Sequence, residues 1–132
     1  MRTLRSLAGL VSTLAFIASA QAAEIKVLDG DSLVYDGKTV EIWGTIAPSP
    51  SETCTTTKNE RWDCGQRAFE ELQSLAAEPD FTCVEKEAGF VTCEVGGLDV
   101  GSEMVRQGLV RSRQDYSGVE ARAREAKVGL WK

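Results

Sequence analysis

Four cysteines constrain the fold of this chain more than any other feature of its sequence. They are Cys54, Cys64, Cys83 and Cys93, which form two pairs whose members are ten positions apart. An even number of cysteines in a small exported domain usually indicates disulfides. Three pairings are possible. We favour Cys54 with Cys64 and Cys83 with Cys93, because each bond then closes a short loop. A zinc site is the alternative, but zinc sites usually contain a C-x2-C spacing, which is absent here.

The first 22 residues have the three parts of a secretory signal peptide. Two arginines precede a short apolar run from Leu7 to Ala18, and Ala20-Gln21-Ala22 matches an A-x-A cleavage site. The apolar run is too short to cross a membrane as a helix of the mature protein, although an amphipathic helix of the folded domain is an alternative. We therefore expect an exported protein, periplasmic or secreted, with one domain over residues 23–132 and no membrane span.

The charge of this domain disfavours nucleic acid as a partner. The chain has 15 Lys and Arg against 20 Asp and Glu, and two of the arginines lie in the first 22 residues. The domain itself therefore has 13 basic and 20 acidic side chains, a net charge of −7. Nucleic-acid binders normally present a positive field to the phosphates. A basic protein partner suits this charge better, although Arg122, Arg124 and Lys127 offer either a local basic patch or a solvated helix face.

Residues that favour β-structure predict three strands in the first part of the domain. These strands are Glu24 to Leu28, Ser32 to Tyr35 and Lys38 to Trp43. Asp36-Gly37 between the last two is typical of a two-residue type I′ hairpin turn. In the third strand, Val40 and Ile42 should face one side of the sheet, and Glu41 and Trp43 the other.

The rest of the domain is expected to alternate helices with short strands, after a polar loop from Ser49 to Asn59. Apolar spacing, turn residues and capping signals predict these elements. They are a helix from Gly65 to Glu78, a hairpin of Phe81 to Val84 with Phe90 to Val95, a helix from Asp99 to Gly108, a strand from Leu109 to Ser112, and a helix opened by a Ser117–Glu120 capping box and continuing to Lys127. This order suits an α+β domain, mainly a small β-barrel.

Several motifs, in this order and spacing, resemble those of the staphylococcal-nuclease-like (thermonuclease) family over nearly all of residues 23–132. They are Asp29-Gly30-Asp31, Trp43-Gly44 through Pro48, Cys64-Gly65 with Ala68, Cys93 with Gly97 and Asp99, Val105 to Leu109, Tyr116-Ser117, then Glu120, Ala123 and Arg124, and Gly129-Leu130-Trp131. The resemblance implies a five-stranded OB-type barrel with about three helices. It also implies nucleic acid on the barrel surface and a calcium ion beside the scissile phosphate.

The resemblance assigns calcium ligands to positions that this chain fills only in part. Asp31 matches a calcium ligand and Asp29 could assist it, although an Asp-Gly-Asp run equally suits a tight turn. Ile46 occupies the position of the family's second aspartate ligand. Ala47 follows it, where the family's residue lends a further oxygen to the metal. Calcium takes about six to eight oxygens, so we expect the remnant to bind it weakly.

The positions that would bind phosphate and activate water are also changed. Glu41 replaces a phosphate-gripping arginine, and a carboxylate there repels the phosphate. Ser49 replaces the glutamate that activates water, and the chain has no histidine to activate a serine. The second phosphate arginine is missing, and Ala88 occupies that region. Arg113 replaces the first of two aromatic residues.

We therefore expect a catalytically inactive domain that acts as a binding or interaction module. A general base contributes roughly 10² to 10⁴ in rate and each charge clamp a comparable factor, so losing the base and both arginines leaves little catalysis. One alternative is a calcium-dependent nuclease with a rearranged site, in which Glu52 acts as the base. Another is an accessory protein of envelope or exopolysaccharide assembly.

Overall fold

The structure, a computed structural model, describes residues 14–19 and 21–132. The expected signal peptide over residues 1–22 therefore falls largely outside the described residues. Residues 14–19 are exposed and have no regular secondary structure. Within the described ranges, no helix has the length and the apolar character that crossing a membrane requires.

The described residues form three α-helices and short strands that pair mostly antiparallel, so the predicted α+β class is confirmed. The strands are β1 (Ile25–Val27), β2 (Ser32–Tyr35), β3 (Lys38–Ile42), β4 (Thr45–Ile46), β5 (Cys54–Thr55), β6 (Arg61–Trp62), β7 (Thr82–Glu87), β8 (Phe90–Val95), β9 (Leu98–Asp99) and β10 (Arg111–Ser112). The α-helices are α1 (Cys64–Ala76), α2 (Val100–Arg106) and α3 (Ser117–Ala126). Short 3₁₀ helices at Gln114–Tyr116 and Gly129–Trp131 precede and follow α3.

The largest sheet has the strand order β1-β2-β3-β8-β7, and β9 also pairs with β8. Its neighbours are antiparallel except β3 and β8, which run parallel with Glu41 opposite Phe90. Two short ladders, β4 with β10 and β5 with β6, complete the β-structure. Over residues 14–19 and 21–132, no ladder joins β1 to β7, so the large sheet is open between these strands.

The core lies between this sheet and the helices. Leu33 and Ile42 from the sheet, Leu72 from α1 and Met104 from α2 are almost completely buried. Each such side chain contributes roughly 1.5–3 kcal/mol by leaving water. As predicted, β3 buries Val40 and Ile42 on one face, while Glu41 between them is exposed.

Two turn and capping signals of the sequence are confirmed. Asp36 and Gly37 have φ angles of 50° and 80°, as a type I′ turn requires. The Asp99 side chain accepts a hydrogen bond from the Ser102 N–H at 2.9 Å and caps the start of α2.

Two other local predictions are wrong. The Ser117–Glu120 capping box does not form, because α3 already begins at Ser117 and no side chain caps it. Glu120 instead accepts hydrogen bonds from the Ser112 N–H and from Arg124. The loop predicted from Ser49 to Asn59 contains β5, which pairs with β6 so that Cys54 lies opposite Trp62.

Both favoured disulfides are present. Cys54 is bonded to Cys64, and Cys83 to Cys93, which lie directly opposite each other in β7 and β8. All four sulfurs are therefore used, and no thiolate remains for the alternative zinc site. Two disulfides in a small domain indicate an oxidising environment.

Candidate functional site

Asp29, Gly30 and Asp31 form a turn between β1 and β2 that we call the acidic turn. The Asp29 Oδ1 atom accepts hydrogen bonds from the N–H groups of Asp31 at 2.9 Å and Ser32 at 2.8 Å. This is how aspartate commonly stabilises a tight turn. A Cβ atom on Gly30 would lie 2.6 Å from the Cβ of Ala68 in α1. The acidic turn therefore packs directly on α1, and glycine is required at its centre.

Asp31 connects the acidic turn to the segment that follows β4. Its Oδ2 atom accepts a hydrogen bond from the Ala47 N–H at 2.8 Å. Its main-chain oxygen accepts another from the Ile42 N–H at 2.7 Å. The Asp31 carboxyl group also interacts with that of Asp29, which raises its pKa. Its carboxyl group is therefore engaged by partners within the protein and helps to hold three segments together.

The two aspartates have pKa values shifted in opposite directions. Burial raises the pKa of Asp31 to about 7, and the Asp29 hydrogen bond and the charges of Asp29 and Glu41 act in the same direction. Burial also acts to raise the pKa of Asp29, but hydrogen bonds from Asp31 and Ser32 outweigh it and hold this pKa below its usual value. Near neutral pH, Asp29 is ionised and Asp31 is partly protonated.

Glu41 adds a third carboxyl group where the family resemblance would place an arginine. It lies in β3 opposite Ser32 and is exposed to solvent. Its charge raises the pKa of Asp31, so the groups are close enough to repel. Across the described ranges, no group of three or more Asp, Glu, His or Cys side chains is arranged to hold a metal ion. The structure thus brings the predicted metal remnant together with Glu41 without forming a metal-ligand cluster.

Ile46 at the end of β4 and Ala47 after it contribute backbone groups and apolar side chains. Ile46 lies opposite Arg111 in the β4–β10 ladder. The Ala47 N–H faces Asp31 as a donor, whereas a calcium ligand must present an oxygen. The group of this segment that is hydrogen-bonded to the acidic turn is therefore a donor, which cannot ligate a metal.

Ser49 and Glu52 are hydrogen-bonded to each other. The Ser49 N–H donates to the Glu52 carboxylate at 3.2 Å, and the Ser49 carbonyl accepts from the Glu52 N–H at 2.9 Å. The loop also packs tightly on α1, since a Cβ on Gly65 would overlap the Ser49 carbonyl oxygen at 1.7 Å. Glu52, the alternative base, is therefore hydrogen-bonded within the loop that contains it.

Ala88 lies exposed in the turn between β7 and β8. The nearby cation is Lys86, whose Nζ atom is 6.0 Å from the centre of the Trp43 ring. Trp43 also packs edge-to-face on Phe90, with ring centres 5.7 Å apart, and donates its indole N–H to Asp115. No arginine takes the place of the missing phosphate ligand on this hairpin, whose residues are all described.

Tyr116, which matches the second family aromatic, is held inside the fold. Its hydroxyl donates to the carboxylate of Asp99, with distances of 2.8 and 2.9 Å to the two oxygens. Desolvation and the Asp99 carboxylate raise the pKa of Tyr116 well above its usual value. A Cβ on Gly44 would lie 2.8 Å from the tyrosine ring. Tyr116 thus packs between glycines and supports the cap of α2, while Arg113 at the other aromatic position is exposed.

Sequence reasoning missed a second polar region, which we call the basic groove. It is a cavity of about 500 Å³ lined by Trp62, Arg67, Arg106, Gln107, Leu109, Val128, Gly129 and Lys132. These residues come from four separate segments, so no local motif could reveal them. The sequence offered one signal, the excess of basic residues over positions 104–132.

The C-terminal cations that the sequence did single out lie elsewhere. Arg122, Arg124 and Lys127 are exposed on or just after α3. Arg124 pairs with Glu120 at 2.7 Å and its guanidinium lies 4.0 Å from the centre of the Trp131 ring. The expectation of a solvated helix face therefore holds for these residues, with one of them packed on tryptophan.

No family model matches this chain, and neither does any curated protein. The likeness to the thermonuclease family therefore depends on the sequence landmarks and on their order along the chain.

Proposed function

We propose that this chain is an exported thermonuclease-like domain that does not hydrolyse phosphodiesters and acts as a binding module. The observation that carries the proposal is the position of Asp31. Its carboxyl group, which the resemblance would assign to calcium, accepts a hydrogen bond from the Ala47 N–H and interacts with the Asp29 carboxyl group. A carboxyl group engaged by partners within the protein in this way offers little to a metal ion.

The surroundings of Asp31 support the loss of catalysis. Three carboxyl groups, those of Asp29, Asp31 and Glu41, interact electrostatically here. A phosphate brought to this place would meet negative charge where a nuclease needs cations. With the base and both charge clamps replaced, the expected rate falls by several factors of roughly 10² to 10⁴.

The fold proposal that accompanies this function is an open OB-type barrel. Five strands follow the order β1-β2-β3-β8-β7 with a parallel contact between β3 and β8. A partly open Greek-key barrel of five strands is the form that OB domains take. The gap between β1 and β7 corresponds in this proposal to the open side.

We propose a basic protein as the partner of this module. The domain over residues 23–132 has a net charge of −7. Charge complementarity accelerates encounter with a positively charged protein and opposes encounter with nucleic acid. The exposed Glu41 side chain extends this negative surface next to the acidic turn.

A nuclease assay tests the proposal. The oxidised domain is incubated with single-stranded DNA and with RNA, with and without millimolar calcium. We expect no cleavage that depends on calcium. Calcium-dependent cleavage that disappears in both Asp31→Ala and Asp31→Asn would show that the site is active, whereas cleavage that persists in both variants indicates a contaminating nuclease.

A further inference from the structure

We propose that the basic groove is a binding site for a small organic anion, whose phosphate or carboxylate head is held by Arg67 and Lys132 and whose flat body packs on Trp62. The groove shares no lining residue with the acidic turn or with Glu41. Its volume of about 500 Å³ lies within the range of small-molecule sites. The proposal is independent of whether the domain hydrolyses nucleic acid.

The cations of the groove differ in how far they are already neutralised. The described residues form two ion pairs, Glu103 with Arg106 and Glu120 with Arg124. Arg67 and Lys132 belong to neither, and both are exposed. Two cations that form no ion pair among the described residues thus lie at the groove of a chain that is acidic overall.

Two carboxylates close to the groove, those of Glu71 and Glu103, already have partners within the protein. Arg106 donates two hydrogen bonds to Glu103. Gln107 donates to Glu71 at 2.8 Å and to Glu103 at 2.9 Å. These contacts keep both glutamates bound to groups of the protein, and they reduce the repulsion that an incoming anion would meet.

Trp62 gives the groove a flat apolar wall. The indole ring is partly exposed, and the Lys132 Nζ atom lies 5.2 Å from its centre. A ring or sugar face can pack on the indole while its anionic group meets the ammonium group. This pairing of one aromatic face with neighbouring cations favours an organic anion over a bare inorganic ion.

The floor of the groove is closely packed backbone. The Leu130 N–H donates to the Gly108 carbonyl at 2.7 Å, and a Cβ atom on Gly129 would lie 2.2 Å from that oxygen. Leu109 and Gly129 of this floor are buried. Because the floor is already ordered, binding requires little rearrangement of the backbone.

Arg67 and Lys132 suit such a ligand in different ways. The planar guanidinium of Arg67 can donate two parallel hydrogen bonds to a phosphate or to a carboxylate. The Lys132 ammonium is a compact charge on a flexible stem, so it can follow ligands of different length. Phosphate esters and carboxylates share this recognition chemistry, and the experiment below separates them.

The test is a titration of the oxidised domain with four probes, followed by the indole N–H resonances of the tryptophans in NMR spectra. Phenyl phosphate and benzoate contain both head and body, inorganic phosphate only the head, and benzyl alcohol only the body. We expect a saturable shift of the Trp62 resonance with phenyl phosphate, benzoate or both, and much weaker effects with the other two. The Trp43 resonance should stay unchanged.

A matched pair of variants separates a site from general charge attraction. Arg67→Ala should weaken binding by about tenfold or more, because hydrogen bonds to a charged group are lost. Arg122→Ala removes the same charge from an exposed position on α3 outside the groove and should leave binding unchanged. Trp62→Phe keeps a flat aromatic wall and should retain saturable binding. Because this variant lacks the Trp62 indole, its binding is measured from the backbone resonances of the groove.

Saturation by one organic probe alone supports the proposal and identifies the head group. The proposal is overturned if neither organic probe saturates the Trp62 shift. It is equally overturned if Arg122→Ala weakens binding as much as Arg67→Ala does, because attraction would then not depend on the groove.

Discussion

The acidic turn and the basic groove use charged side chains in opposite ways. In the acidic turn, Asp29 and Asp31 bind each other and nearby backbone N–H groups. In the basic groove, Arg67 and Lys132 form no ion pair with any residue that the structure describes. Carboxylates with hydrogen-bond donors inside the protein stabilise the fold, while cations without an ion pair can receive an anionic ligand. The region that matches a nuclease site is therefore the less available of the two for binding.

The largest expected effect comes from disturbing the packing of the acidic turn. Gly30→Ala should lower the free energy of unfolding by about 2 kcal/mol, because the new Cβ would press on Ala68 and Ala47. Urea denaturation measures the change. Gly118→Ala is the matched control, since a Cβ there meets nothing within 4 Å and alanine favours the helix. If the two variants are equally stable, the acidic turn is not packed as described.

A pH-dependent effect of intermediate size should come from Asp31. Its pKa in the folded protein, about 7, lies above the ordinary value of 3.8, so the folded state holds the proton more tightly. The stability that this group contributes is complete below about pH 4 and is lost as the pH rises to about 7. Asp29 has a lowered pKa and acts in the opposite sense, losing its contribution as the pH falls below its ordinary value.

Asp31→Asn removes the loss of stability that ionisation of Asp31 causes, and it keeps an oxygen acceptor for the Ala47 N–H. We expect the variant to be more stable than the native protein by about 1–2 kcal/mol at pH 8 and similar to it at pH 4, after allowing for solvent screening of a half-buried group. Denaturation at a series of pH values measures the difference. A difference that does not depend on pH would contradict the raised pKa of Asp31.

The smallest stability effect is expected in the basic groove. Arg67→Ala should change the free energy of unfolding by less than about 0.5 kcal/mol, because the side chain is exposed and forms no ion pair among the described residues. The same variant should strongly weaken binding of an organic anion. Thermal denaturation measures the stability of the variant, and the NMR titration measures its binding of the anion. A large loss of stability would mean that Arg67 has a structural role like that of Asp31.

The features predictable from the sequence were the local ones. The Asp36-Gly37 turn, the Asp99 cap and the alternation in β3 each depend on residues close together in the chain. The short loop closures also favoured the disulfides that the structure contains. Predictions from local sequence were wrong where a side chain has a distant partner. Glu120 accepts a hydrogen bond from the β10 backbone instead of capping its own helix.

The candidate site was predictable only in its residue types. The family resemblance implied that Asp29, Asp31 and Glu41 lie near one another, but it could not reveal that Ala47 donates its N–H to Asp31. The basic groove left almost no signal, because Trp62, Arg67 and Lys132 meet only after the chain has folded. Contacts between distant segments decide which charges are already satisfied, and short motifs do not contain that information.

The most direct test of the central claim is a calcium titration of the oxidised domain. Trp43 follows Glu41 closely in the chain and packs on Phe90, which lies opposite Glu41, so its fluorescence reports on this region. The engagement of Asp31 by Ala47 and Asp29 predicts no saturable change up to millimolar calcium. Saturable binding at micromolar calcium, lost in Asp31→Asn, would contradict the claim that this carboxyl group serves the fold.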